Sequence, residues 1–383
     1  MSEFAPHSKD DESGERSLGS PLLPWLWPLI SAASISRIAA TGLEAMAKTL
    51  AGDGAEFQAN REMAWATPHH VALELPSVRL RDFSQSETGH GTIICAPLAL
   101  HGAVVADFAP GHSLVERLRH EGQRRLFVTD WRSATADMQS FTIDSYLADL
   151  NVAVDDCGPP VSLVGLCQGG WLALAYAARF PTKVRKLVLA GSPIDIAAGS
   201  SSLSELATMT PLSTFKQLVE LGKGRMLGCH MLEIWKSQGG SPDEAERVLQ
   251  VPEGHASDEL RHRFRSWCAA AIDLPGRYYL QVVQQIFKEN QISRGQFVAL
   301  GRQIHLEDVR VPMALLAGHS DDVANERQVF SAAHLVGTPA GQIIKLQEPC
   351  GHLSLFMGAR TLGHAWAKIG RWLNNDSVSA LAS

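Results

Sequence analysis

The stretch that most constrains this chain is Val161-Ser162-Leu163-Val164-Gly165-Leu166-Cys167-Gln168-Gly169-Gly170-Trp171-Leu172-Ala173-Leu174. It opens as an apolar run, the pattern of a parallel strand covered on both faces. Beyond the glycines it resumes in helix formers that continue through Ala175, Ala177 and Ala178. Strand, glycine-bounded turn and helix form the setting of a nucleophile elbow, where a sharp turn presents a reactive side chain at a strand end. Gly165-Leu166-Cys167-Gln168-Gly169 fits the G-x-S-x-G form, with cysteine in place of serine. The glycines fit because a Cβ at either flank would crowd the adjoining strand or helix. A buried cysteine in a glycine-rich loop would give the same letters without chemistry, so the reading depends on partners elsewhere.

The surrounding pattern predicts an α/β fold. From His70 to Phe83, Val71, Leu73, Leu75, Val78 and Leu80 alternate and break at Pro76, which suggests two short strands and an antiparallel start. Strands are expected at 91–96, 125–129 and 184–190, with helices from Leu114, Val115 and Leu118 and over 143–154 between them. Such alternation is the signature of a mostly parallel, doubly wound sheet. It stops over 197–301, where helical patterns carry Trp235, Trp267, Tyr278, Tyr279 and Phe287. A helical insertion here would form a cap that shapes a substrate tunnel and excludes water, although the same aromatics fit the core of an ordinary helical subdomain. Strands resume at 313–317 and 342–346, before a last amphipathic helix with Trp366, Ile369, Trp372 and Leu373. The expected division is a disordered tail over 1–20, an N-terminal helical segment over 21–68 and a first core part over 69–196. The cap follows over 197–301, then a second core part over 302–375 and a tail over 376–383.

Three residues then line up. Cys167, Asp321 and His352 each follow a predicted strand, in the order nucleophile, acid, histidine that α/β hydrolases use. Open α/β sheets gather ligands at the carboxyl ends of their strands, so the three can converge. A free thiol is mostly protonated at neutral pH and needs a base. His352 would take the Cys167 proton, and Asp321 would orient and stabilise the imidazolium. Asp322 competes as the acid, and Cys350, beside His352, competes as the nucleophile but lacks an elbow. The Gln168 amide is one expected oxyanion donor, and an amide of the 97–102 loop, assigned to Leu98, is the other. Trp131 at a strand end and Trp171 beside the elbow are candidate substrate contacts, with packing as the plainer role for Trp131.

Composition narrows the class. The 383 residues carry a net charge of -6, which gives no electrostatic footprint for nucleic acid. The six cysteines are scattered, without a C-x-x-C pair or zinc-ligand spacing, as suits a reducing cytoplasm and no metal. Residues 22–50, with Trp25 and Trp27, are too short and too polar in their apolar run for a transmembrane segment and have no basic leader. They suit an amphipathic helix that packs on the main domain or lies on a hydrophobic particle. Their tryptophans are also compatible with a homodimer contact.

The Gly165-Leu166-Cys167-Gln168-Gly169-Gly170 box resembles that of polyhydroxyalkanoate synthases, especially the short two-subunit class. Cys95-Ala96-Pro97-Leu98, Val128-Thr129-Asp130-Trp131, Gly191-Ser192-Pro193-Ile194-Asp195, Tyr278-Tyr279-Leu280 with Phe287, Ser320-Asp321-Asp322 and Cys350-Gly351-His352 look more like intracellular polyhydroxybutyrate depolymerases with a cysteine nucleophile. The resemblance runs from about Thr92 to the final helix. Both families imply an α/β-hydrolase fold and a Cys-Asp-His triad, which falls on Cys167, Asp321 and His352. Synthases resemble one another in an Asp-His pair at the acid turn, where this chain has Asp321-Asp322-Val323, and their histidine follows Ser-Gly rather than Cys-Gly. Depolymerases lack the double glycine present here. The resemblance implies acyl transfer in polyhydroxyalkanoate metabolism through an acyl-Cys intermediate. Depolymerisation by hydrolysis or thiolysis is the first expectation, and synthesis from 3-hydroxyacyl-coenzyme A is the alternative. A non-catalytic granule-associated protein is the third. No bound cofactor is expected; coenzyme A enters as substrate or acceptor. The expected partner is a polyester granule or hydroxyacyl-coenzyme A, and the expected location is cytoplasmic, at granules.

Overall fold

The computed structural model describes residues 63–236, 244–252 and 254–375; the expectations for the 1–20 tail, for 21–68 up to residue 62 and for the 376–383 tail lie outside the described residues. Eight strands make the central sheet: β1 His70–Glu74, β2 Val78–Asp82, β3 Thr92–Cys95, β4 Leu126–Trp131, β5 Val161–Leu166, β6 Val184–Ala190, β7 Met313–Gly318 and β8 Ile343–Glu348. Their order is β1-β2-β4-β3-β5-β6-β7-β8. β2 pairs antiparallel with β1 and with β4, and every other pair is parallel.

Burial follows position in that order. β3, β5 and β7 are buried at every residue, which is why they read as unbroken apolar runs. β1 and β8, at the two edges, are mostly exposed or half-buried. The strand expected over 125–129 continues through Trp131, because β2 pairs along it as far as Val78 opposite Trp131. The last strand begins at Ile343 rather than Gln342, since residues 340–342 form a 3-10 turn after Pro339.

The crossover helices are α1 Leu114–His120, α2 Ile143–Cys157 and α3 Gln168–Arg179. Local side chains fix where two of them start. The Ser113 hydroxyl accepts the Glu116 amide, and Thr142 with Ser145 forms a reciprocal capping box.

Between β6 and β7 the chain adds no strand to the central sheet. It builds α4 Ser202–Met209, α5 Leu212–Leu221, α6 Gly228–Lys236, α7 Glu244–Leu249, α8 Asp258–Ala269 and α9 Gly276–Gln281, the last running on into a π-helical segment over Val282–Lys288. Trp267, Tyr278 and Phe287 are buried in the same continuous hydrophobic cluster as β3, β5 and β7. The cap is therefore packed into the molecule's core rather than set beside it. The chain closes with α10 Ala367–Asn374, which buries Ile369 and Trp372. Among the described residues no helix is long and apolar enough to cross a membrane.

Candidate active site

Cys167 sits between β5 and α3 with φ 50° and ψ -120°, a conformation that a side-chain-bearing residue adopts only when its surroundings enforce it. The surroundings here are backbone on both sides. A Cβ on Gly165 would lie 2.3 Å from the Gly170 Cα, and one on Gly169 would lie 2.1 Å from the Cys95 carbonyl oxygen. The second glycine of the pair has its own cause, since a Cβ on Gly170 would meet the Ser192 Oγ at 1.7 Å. The turn is pinned by the Cys167 amide donating to the Ala190 carbonyl at 2.9 Å. Cys167 thus stands at the N-terminus of a 12-residue helix.

His352 and Asp321 arrive from the loops after β8 and β7. The His352 Nδ1 lies 2.8 Å from the Asp321 Oδ2, and the charge of Cys167 acts on the same ring. The other Asp321 oxygen, Oδ1, accepts the Val323 and Ala324 amides, each at 2.9 Å, so the carboxylate is held from behind while it faces the imidazole. Cys167, Asp321 and His352 are all buried. Phe356 meets the His352 ring edge-on, with centroids 5.1 Å apart.

The electrostatics couple these groups. Burial disfavours the His352 imidazolium, but the charges of Asp321 and Cys167 and the hydrogen bond to Asp321 outweigh it. The ring is held well above the ordinary histidine value.

Of the two aspartates, Asp321 meets the histidine; Asp322 is exposed, and its carbonyl accepts the Ser202 amide at the start of α4. Cys350 is buried with its Sγ 3.7 Å from the Thr361 hydroxyl, and burial pushes its thiol up to about 11. The Gln168 amide lies in the first turn of α3, where helix geometry supplies no intrahelical acceptor. Leu98 is buried in the loop after β3, and its carbonyl lies 3.4 Å from the Tyr278 hydroxyl. Among the described residues no three His, Cys, Asp or Glu side chains gather as a metal site would.

Trp131 and Trp171, the two candidate substrate contacts, have packing partners inside the molecule. Trp131 is buried, with its indole Nε1 donating to the Ala96 carbonyl at 2.9 Å, and it packs edge-on against Tyr146. It braces the strand end that leads into the Leu98 loop. Trp171 is fully buried on α3 and packs against Phe297, because its helix faces the sheet there. Both belong to the core. Tyr278 is the residue that sequence reasoning left among the cap aromatics and the structure brings to the site. Its hydroxyl also reaches the Gln168 Oε1 at 3.4 Å, a contact across 110 residues that no spacing rule reveals.

With this geometry in view, known proteins fall into place. A family profile described as "alpha/beta hydrolase fold" matches residues 105–226, and one described as "PHB de-polymerase C-terminus" matches 244–375. The poly(3-hydroxyalkanoate) polymerase subunit PhaC of Haloferax mediterranei is 24% identical over 329 residues, which cover 81% of this chain and 64% of that protein. The same subunit from Allochromatium vinosum is 23% identical over 283 residues, covering 70% of this chain and 77% of its own. The chain is a polyhydroxyalkanoate-synthase-like α/β hydrolase. A monoacylglycerol lipase of Paleococcus ferrophilus shares the fold, with a TM-score of 0.52 over 79% of this chain and 99% of its own at 14% identity. The synthase-like chain spans just under two thirds of the Haloferax polymerase. In its α/β-hydrolase sheet, the candidate triad occupies the carboxyl ends of β5, β7 and β8.

Proposed function

We propose that this protein transfers acyl groups in polyhydroxyalkanoate metabolism, with Cys167 as nucleophile, His352 as base and acid and Asp321 as its orienting carboxylate. We further propose that the reaction is polymer synthesis from 3-hydroxyacyl-coenzyme A. The observation that carries the reading is the buried His352–Asp321 pair together with a buried Cys167 at the strand-to-helix elbow, in a chain similar to polymerase subunits.

In this mechanism the Cys167 thiolate attacks the thioester carbonyl, and the Gln168 and Leu98 amides hold the oxyanion. Collapse breaks the acyl–sulfur bond to coenzyme A, and His352 delivers a proton to the departing thiolate. The hydroxyl of a growing chain then attacks the acyl-Cys, with His352 taking its proton, and Cys167 is restored.

One physical argument favours synthesis over the depolymerisation expected first from sequence. Exchange of a thioester for a thioester keeps acyl-transfer potential nearly level, whereas charging a thiol from an oxyester runs uphill. Depolymerisation keeps one specific support, the depolymerase C-terminal match over 244–375, which includes Asp321 and His352.

Incubation with 3-hydroxybutyryl-coenzyme A as sole substrate separates the two. Synthesis predicts stoichiometric release of free thiol with growth of insoluble polymer. Release of 3-hydroxy acids from amorphous granules, with no polymer growth from the thioester, would instead establish the depolymerase.

A further inference from the structure

The loop that follows β3 is stitched to the cap at three successive places. The Tyr278 hydroxyl lies 3.4 Å from the Leu98 carbonyl, the Ile272 amide donates to the Leu100 carbonyl at 3.0 Å, and the His101 Nδ1 donates to the Ala270 carbonyl at 2.7 Å. The His101 ring also lies against Trp267, with centroids 4.1 Å apart. Burial pushes His101 down to about 4, so the ring stays neutral and its tautomer is fixed by the bond to Ala270. On the elbow side the same Tyr278 hydroxyl reaches the Gln168 Oε1 at 3.4 Å. One phenol on α9 therefore spans the two residues proposed as oxyanion donors. Its single proton is shared between their oxygens.

We infer that Tyr278 is a positioning residue for the oxyanion pocket, holding the Leu98 loop and the Gln168 side chain at the separation that aims both amides at the acyl oxygen. This rests on the acyl-transfer reading of Cys167. The phenol is suited to the task because it stays a donor. Burial, with the charges of Tyr146 and Cys167, holds it well above the ordinary tyrosine value. The Leu98 loop takes these three bonds from the segment 270–278, so the pocket is assembled by the seated cap. Sub-ångström misplacement of such donors is costly because an oxyanion develops only in the transition state.

Two reactions of the same thiol test this. With 4-nitrophenyl butyrate the Cys167 sulfur bonds to the carbonyl carbon, the ester C–O bond breaks, and 4-nitrophenolate leaves behind butyryl-Cys167. That step develops an oxyanion. Alkylation by iodoacetamide, in which the sulfur displaces iodide, develops none. In the full-length chain Tyr278→Phe removes only the hydroxyl. We expect acylation at Cys167 to slow by roughly 10- to 100-fold, while alkylation at Cys167, followed by peptide mass, stays within about twofold of wild type. Equal acylation rates overturn the inference, and so does a matched loss in both reactions, which marks general damage to the site. A wild-type protein that is alkylated at Cys167 but never acylated overturns the underlying acyl-transfer reading, and the inference with it.

Discussion

At the residue scale, the histidine carries the account. His352 gains its proton affinity from Asp321 and from the charge on Cys167, against the penalty of burial. Asp321→Asn keeps the shape of the site but removes the charge and offers the wrong hydrogen-bond partner to Nδ1. Activity on any acyl donor is expected to fall by about 100- to 10,000-fold with little change in melting temperature. A loss below tenfold in steady-state assays would count against the assigned role. The raised histidine also makes a stability prediction. The native state binds the proton more tightly than the unfolded chain does, so the stabilisation from His352 is fully present below the unfolded value of about 6.5 and is lost as pH rises through the higher native value. Denaturant unfolding of wild type and His352→Gln should therefore give free energies that converge on the alkaline side. Divergence there would show that the ring is not held protonated.

At the element scale, the elbow is set by close approach of backbones. Gly170→Ala drives a methyl into Ser192, whose Oγ and Cβ lie 1.7 and 2.5 Å from the added carbon. The single substitution should cost about 2–4 kcal/mol. Because the next nearest atom, the Gly165 carbonyl oxygen, lies at an ordinary 3.4 Å, adding Ser192→Gly should restore a substantial part of that loss. Additive losses in the double variant, measured by chemical denaturation, would contradict this local cause. The elbow turn, the buried strands and the strand-free stretch between β6 and β7 were legible because each rests on local pattern: glycine spacing, unbroken apolar runs, and a long stretch without them. Side-chain direction was not. A tryptophan at a strand end or beside an elbow reads the same whether it faces substrate or core, and Trp131 and Trp171 both face the core. Tyr278 was hidden for a different reason, since its partners Leu98 and Gln168 come from strand ends far away in the chain.

At the scale of the whole molecule, one hydrophobic cluster runs from β3, β5 and β7 through the cap's Trp267, Tyr278 and Phe287. Cap and sheet should then unfold together. Calorimetry is expected to give a single transition whose calorimetric and van't Hoff enthalpies agree, and a separate low-temperature transition for the cap would contradict the shared core. Cys167 is buried within the same cluster. The central claim is that Cys167 carries the acyl group between a thioester and a growing chain. Its most direct test is mass analysis of the Cys167 peptide, quenched during reaction with 3-hydroxybutyryl-coenzyme A. The account predicts an adduct of one or more hydroxybutyryl units on Cys167, formed as coenzyme A is released and absent in Cys167→Ala. Coenzyme A release that leaves Cys167 unmodified, or that persists in Cys167→Ala, would contradict it.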